Sequence, residues 1–135
     1  MKKTIFVFGS NEGGIHGAGA ALFAYQKKGA RFGHGYGHSG NSWAIPTKGV
    51  LTIGDNRMVG DTLPLERIQQ YVAGFLAFAH GHPDMEFEVT RIGCGLAGLK
   101  DEDIAPMFHN APSNCSFDTV WKPWLKDDAK FWGTF

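Results

Sequence analysis

Thr4-Ile5-Phe6-Val7-Phe8-Gly9-Ser10-Asn11-Glu12-Gly13-Gly14 is the stretch on which the fold turns. Five consecutive β-prone, apolar residues without alternation describe a strand buried on both faces, as in a parallel sheet covered by helices. The glycine cluster then breaks the strand. Gly17-Ala18-Gly19-Ala20-Ala21-Leu22-Phe23-Ala24-Tyr25 follows with helix-compatible residues from about Gly17. Gln26, Lys27 and Lys28 suit the negative end of the helix dipole, and Gly29 suits its stop. Strand, glycine turn, helix is the opening unit of an α/β fold.

The same grammar recurs downstream. Residues 29–41 are rich in Gly and His, have no period, and read as an ordered loop. Ser42-Trp43-Ala44-Ile45 reads as a short strand closed by Pro46, with Thr47 and Lys48 just past its end, and 49–61 as a loop or small hairpin. Pro64 suits a first helical turn. After it Leu65, Ile68, Val72, Phe75, Leu76 and Ala79 recur at helical spacing, the clearest amphipathic helix in the chain. Phe87-Glu88-Val89-Thr90-Arg91-Ile92 reads as a strand, followed by Gly93-Cys94-Gly95-Leu96-Ala97-Gly98. A short helix is expected from Asp101 through Phe108, with Pro106 confined to a first turn or a kink. Phe117 to Trp121 reads as a last strand. Alternating strands and helices predict a three-layer α/β fold with a mostly parallel central sheet, and 135 residues predict one domain.

Composition narrows the function. Lys plus Arg and Asp plus Glu each total 13, so no basic excess supports sequence-independent nucleic-acid binding. The run Ile5 to Phe8 is too short for a membrane span or a secretory signal, so no membrane partner is expected. Cys94 and Cys115 form neither a disulfide framework nor a metal-binding pair, which fits a reducing, cytosolic setting. His34 with His38, and His80 with His82, lack a Cys or carboxylate at zinc-site spacing, so no metal or cofactor is expected. The 19 glycines, concentrated between Gly9 and Gly60 and around Gly93 to Gly98, point instead to turns and close backbone approach.

Two turns therefore stand out, Gly9 through Gly19 and Gly93 through Asp101. In parallel sheets, ligands gather at the carboxyl ends of strands, where backbone N–H groups at helix starts favour phosphate. The third glycine of a dinucleotide fingerprint is missing, and no Gly-Lys-Ser/Thr marks a P-loop. His16, between the glycines of the first turn, reads either as a phosphate or ribose contact or as a helix-start residue. Cys94 reads as a backbone contact or structural thiol, since a nucleophile would need a basic partner.

Ser10-Asn11 followed by Gly13-Gly14-Ile15-His16-Gly17-Ala18-Gly19-Ala20-Ala21 resembles the first ligand loop of macrodomains. Arg91-Ile92-Gly93-Cys94-Gly95-Leu96 resembles their second, diphosphate-binding loop, above all in macrodomains of the terminal ADP-ribose glycohydrolase type. The pattern is also similar to macrodomain-like proteins of phages and bacteria. The resemblance spans about Ile5 to Trp121. It implies binding of ADP-ribose or a related NAD-derived nucleotide, with nucleic acid a partner only if ADP-ribosylated. Asn11 would meet the distal ribose, Gly17 and Gly19 one phosphate, and Gly93, Cys94 and Gly95 the other. Ser10, Gly14, His16, Leu96 and Ala97 would complete the lining. Lys48 matches the Lys that attacks the sugar in the glycohydrolase group, which implies a second function, ADP-ribosyl hydrolysis. Ala97 stands where that group has its assisting Asp, with Asp61 or Asp101 the substitutes to consider, and the N-terminal extension bearing an adenine-binding Asp is not found ahead of Ile5. A third implied function is sequestration of a nucleotide signal in phage–host conflict.

Overall fold

A computed structural model describes residues 2–135 and shows a seven-stranded, mostly parallel sheet between helical layers. The strands are β1 (Lys3–Asn11), β2 (Gly37–Ser39), β3 (Ser42–Ile53), β4 (Asn56–Thr62), β5 (Met85–Val89), β6 (Cys115–Asp118) and β7 (Lys130–Gly133). Their order is β2-β3-β1-β5-β6-β7, with β4 paired to β3. The pairings β3–β1, β1–β5, β5–β6 and β6–β7 are parallel, and only β2 and β4 run against β3.

The apolar run of β1 explains the layering. Successive side chains point to opposite faces of a strand. Ile5 and Val7 enter the larger core with Ile68, Val72, Phe75 and Ala79 of α2 (Leu65–His80), together with Phe87, Val89, Phe117 and Trp121. Phe6 and Phe8 enter the smaller core with Ala21 and Ala24 of α1 (Gly19–Lys27), plus Ala30 and Ala44. All four β1 residues are buried to within 4 % of complete, worth roughly 1.5–3 kcal/mol per side chain. β1 is thus the central, two-sided strand expected from its composition. The amphipathic helix also spans the residues its period predicts.

Several boundaries differ from expectation. The strand at Ser42 does not stop at Pro46 but continues to Ile53. Pro46 faces Ser10 of β1 in register, and it lies in the gap between the stretches of β3 that β2 and β4 occupy. A proline is tolerated there because no ladder partner needs its missing N–H. Residues 49–61 are the β3–β4 hairpin, turning through Gly54 at φ 61°. Leu51, Ile53 and Met58 on it are exposed. The loop 29–41 contains β2. α1 starts at Gly19, two residues later than its small residues suggest. β5 ends at Val89, so Thr90 to Ile92 belong to the turn. The expected last strand is Cys115–Asp118, and Thr119–Trp124 coils into a 3-10 turn because Pro123 cannot extend a ladder. The expected helix from Asp101 is one turn, α3 (Asp101–Ile104), continued as a 3-10 turn with Pro106 in its first turn. No helix among the described residues is long and apolar enough to cross a membrane.

Candidate functional site

A cleft of about 580 Å³ opens at the carboxyl ends of β1, β5 and β6, beside the middle of β3. The two glycine turns meet there. Ser10, Asn11, Gly17 and Gly19 line it from the first, Gly93, Cys94, Gly95, Leu96 and Ala97 from the second, and Lys48 from the end of the β1-paired part of β3. Gly14 and His16 lie outside the lining. Gly14, at φ 66°, is pressed against Gly33 and His34, and a β-carbon on it would overlap their backbone. His16 is fully buried between Phe8 and Phe32.

Threonines flanking β1 help to hold its end. Thr47 Oγ1 donates to the Ser10 carbonyl at 3.2 Å, and Thr90 Oγ1 donates to the Val7 carbonyl at 2.7 Å. Beyond β1 the Asn11 side chain organises the turn. Its Nδ2 donates to the Ile15 carbonyl and its Oδ1 accepts the Ile15 N–H, both at 2.9 Å. Ser10 Oγ and His16 Nδ1 lie 3.2 Å apart, and His16 Nε2 has no hydrogen-bond partner. Burial holds the His16 pKa below its ordinary value. Glu12 ties the turn to α2, accepting from Tyr71 Oη at 2.5 Å and Arg67 Nε at 2.8 Å, while its N–H donates to the Lys48 carbonyl. The Tyr71 hydrogen bond, with help from Arg67, keeps its carboxyl below the usual range.

α1 begins without a cap. Ala18 occupies the N-cap position with extended backbone and offers no side-chain acceptor, where Ser, Thr, Asp or Asn would ordinarily satisfy an N–H. The amides of Gly17, Ala18 and Gly19 find no acceptor among the described residues. The amides of Gly93, Gly95, Leu96 and Ala97 in the second turn find none either. Seven backbone donors of residues lining one cleft are therefore without a protein partner. Such a set, joined by the positive end of the α1 dipole, suits an anion with several oxygens. The second turn is not a helix start, however. α3 begins only at Asp101 and carries Asp101, Glu102 and Asp103 in its first turn, so its donors belong to the turn itself.

The second turn is braced from outside. Arg91 grips Asp101 with both arms, Nε to Oδ1 at 2.9 Å and Nη2 to Oδ2 at 2.6 Å, and Trp121 Nε1 donates to Oδ1 at 2.7 Å. Arg91, with Trp121 assisting, keeps the Asp101 carboxyl below its ordinary range. Cys94 is pushed up to about 12, first by burial and then by Asp101, so its thiol stays protonated near neutrality. On the hairpin side, Thr62 Oγ1 donates to the Ala97 carbonyl at 3.0 Å. Asp118 is fully buried at the end of β6. Its Oδ1 accepts the Val120 N–H, and its Oδ2 accepts Thr134 Oγ1 and the Phe135 N–H. No cluster of three or more His, Cys, Asp or Glu that could hold a metal occurs among the described residues.

Comparison with protein-family models, curated proteins and solved structures gives no match. The reading of the cleft therefore rests on its own geometry. Sequence reasoning missed Thr47, Thr90, Arg91, Asp118, Val59 and Phe135 as lining residues. Thr90, Arg91 and Asp118 lie at or just past strand ends, a position that marks cleft residues in parallel sheets, whereas Thr47 sits within β3 beside the end of β1. Val59 and Phe135 carry no such signal, because a hairpin and the segment after β7 bring them in.

Proposed function

We propose that the cleft binds ADP-ribose or a related NAD-derived nucleotide, its diphosphate spread over the two glycine turns. The supporting observation is the set of seven backbone amides without acceptors, drawn from turns 70 or more residues apart and lining one cleft. About 580 Å³ falls in the ordinary range for small-molecule sites. The resemblance of both turns to macrodomain ligand loops points to the same ligand. Among the lining residues Lys48 is the cation not paired to a carboxylate, since Arg91 is committed to Asp101, so affinity would rest on backbone donors.

Calorimetry with ADP-ribose tests the proposal. Saturable heat is expected, with a thermal shift that grows with ligand concentration; ligand at 100 times Kd adds about 2.7 kcal/mol to stability. No heat and no shift at millimolar ADP-ribose overturns it. The same titration with cyclic and linear derivatives asks whether the ligand is instead a signalling nucleotide held out of circulation.

Lys48, half-buried in the cleft wall, supports hydrolysis of an ADP-ribosyl bond as a second reading. The carboxylates argue against it. Ala97 offers none, Asp101 is committed to Arg91 and Trp121, and Asp118 is buried under three donors. Asp61 is exposed on β4 outside the lining. General acid–base assistance thus has no free group in the lining, and binding without turnover is the better-supported function.

A further inference from the structure

His16 sits just behind the first turn, and the amide donors leave it unexplained. Its chain neighbours Ile15 and Gly17 both line the cleft, but its own ring is fully buried. Phe8 stands 5.4 Å from it and Phe32 5.9 Å, between ring centroids. One polar contact leaves this apolar slot. His16 Nδ1 lies 3.2 Å from Ser10 Oγ, and Ser10 belongs to the cleft wall. Nε2 has no hydrogen-bond partner. Ser10 shares the α1 face of β1 with Phe6 and Phe8. Its hydroxyl is therefore on the side of the sheet where Gly17, Ala18 and Gly19 present their open amides.

The charge around the ring is as one-sided as its bonding. The loop packed on it, residues 29–36, brings Arg31 and His34. Their backbones favour a proton on the ring, and the His34 imidazole opposes one. The first turn and α1 bring no carboxylate, since none occurs between Glu12 and Asp55. Glu12 is taken up by Tyr71 and Arg67, and Asp118 of the cleft wall by Val120, Thr134 and Phe135. A proton on His16 thus finds no free counter-charge beside it, and burial keeps the ring neutral. An anion on the Gly17 to Gly19 amides brings that counter-charge. It also draws on Ser10 as a donor. With Nδ1–H donating to Ser10 Oγ, the Ser10 O–H is free to turn toward the anion. Chained bonds of this kind strengthen when the first donor is charged.

We propose that Ser10 and His16 form a proton-linked relay, in which Ser10 donates to the diphosphate while His16 positions that hydroxyl and takes up a proton as the anion binds. This rests on the nucleotide reading above. His16 touches no ligand atom and is a positioning residue. The proton comes from solvent and stays on the imidazole, and no covalent bond changes. Affinity then rises as pH falls from the ring's pKa in the complex to its lower value in the free protein, which lies below 6.5.

Calorimetry with ADP-ribose, whose diphosphate keeps its charge in this range, tests it between about pH 7.5 and 5.5 in buffers of differing ionisation heat. Wild type is expected to take up part of a proton on binding, with affinity rising by up to about tenfold per pH unit as pH falls. His16→Gln is expected to bind with no proton uptake and a flat pH profile. Ser10→Ala is expected to bind roughly ten- to hundredfold more weakly, the range for one lost bond to a charged group, also without uptake. His34→Gln, the control for the neighbouring ring, is expected to keep the uptake. Should His16→Gln fail to fold, NMR of the histidine ring carbons in wild type gives the second measurement. The His16 pKa is expected to move up when ADP-ribose is added. Binding without proton uptake overturns the relay and leaves the nucleotide reading standing. So does uptake that survives His16→Gln or disappears in His34→Gln, and so does a His16 pKa unmoved by ligand. Wild type that binds no ADP-ribose at any pH removes both.

Discussion

Gly9 and Gly93 stand against each other where the two turns leave the sheet: a β-carbon on Gly9 would come within 3.2 Å of the Gly93 amide nitrogen. Gly93 has φ 76°, and a β-carbon there would lie 2.7 Å from Leu99 Cδ1 and 3.2 Å from Thr47 Cγ2. Gly93→Ala is therefore expected to cost about 1–3 kcal/mol, the usual range for a strained backbone, and to weaken ligand binding. Gly95→Ala meets nothing within 4 Å and should stay within about 0.5 kcal/mol of wild type. Urea melts of the two variants side by side check this; equal stability would show that the Gly93 conformation is not required.

Asn11 closes the first turn through two hydrogen bonds to Ile15. Asn11→Ala leaves an N–H and a carbonyl to find new partners in a part-buried turn, at a cost of about 1–3 kcal/mol. Asn11→Asp keeps the acceptor for the Ile15 N–H but sets a carboxylate against the Ile15 carbonyl. Both variants are expected to lose affinity for ADP-ribose more than they lose thermal stability, because the disturbed turn leads into Gly17 to Gly19. A melt and a titration on each variant decide it.

The Arg91–Asp101–Trp121 brace is expected to set the shape of the second turn. Asp101→Asn removes the charge that Arg91 pairs with and one of the acceptors it needs, for an expected loss of about 1.5–3 kcal/mol. The carboxyl of Asp101 is held below its ordinary value of 3.8, so its contribution is present above that pH and is lost as pH falls through the lower, folded value. Acid unfolding followed by tryptophan fluorescence should show wild type losing this increment at acid pH and Asp101→Asn showing none.

His16 gives a separate window. Its pKa is lowered by burial from 6.5, so the unfolded chain takes up a proton before the folded one does. Stability is full above about pH 6.5 and declines as pH falls from there through the folded value. His16→Gln should flatten the melting temperature between pH 6.5 and 5 relative to wild type. An unchanged slope would mean that another group governs the decline.

Much of the architecture was legible because β1 and α2 have strong, opposite signatures, a continuous apolar run in one and a 3.6-residue period in the other. The convergence of the turns followed from placing both at strand ends. What was not legible depended on pairing. Nothing local says that Pro46 can sit inside a strand, since that requires knowing that β2 and β4 leave a gap there. His16 read as a ligand contact because it stands among glycines, and only the rings of Phe8 and Phe32 show that it faces inward. Asp118 and Phe135 could not be joined to the site from sequence, because their bond forms across a strand and a loop.

The cleft has no private segment of chain. Its walls come from Gly9 to Asn11, Ile15, Gly17 to Ala21, the β3–β4 hairpin, the turn after β5, Asp118 and Phe135, and one of its braces, Thr90 to Val7, joins residues 83 positions apart. Such non-local closure makes folding slow relative to a helical protein of this size. It also means that no excised fragment can carry the site. Occupancy is accordingly a readout of global integrity: a bound molecule would suppress amide exchange and proteolytic nicking at both ends of the polypeptide together, and a half-folded chain would hold nothing.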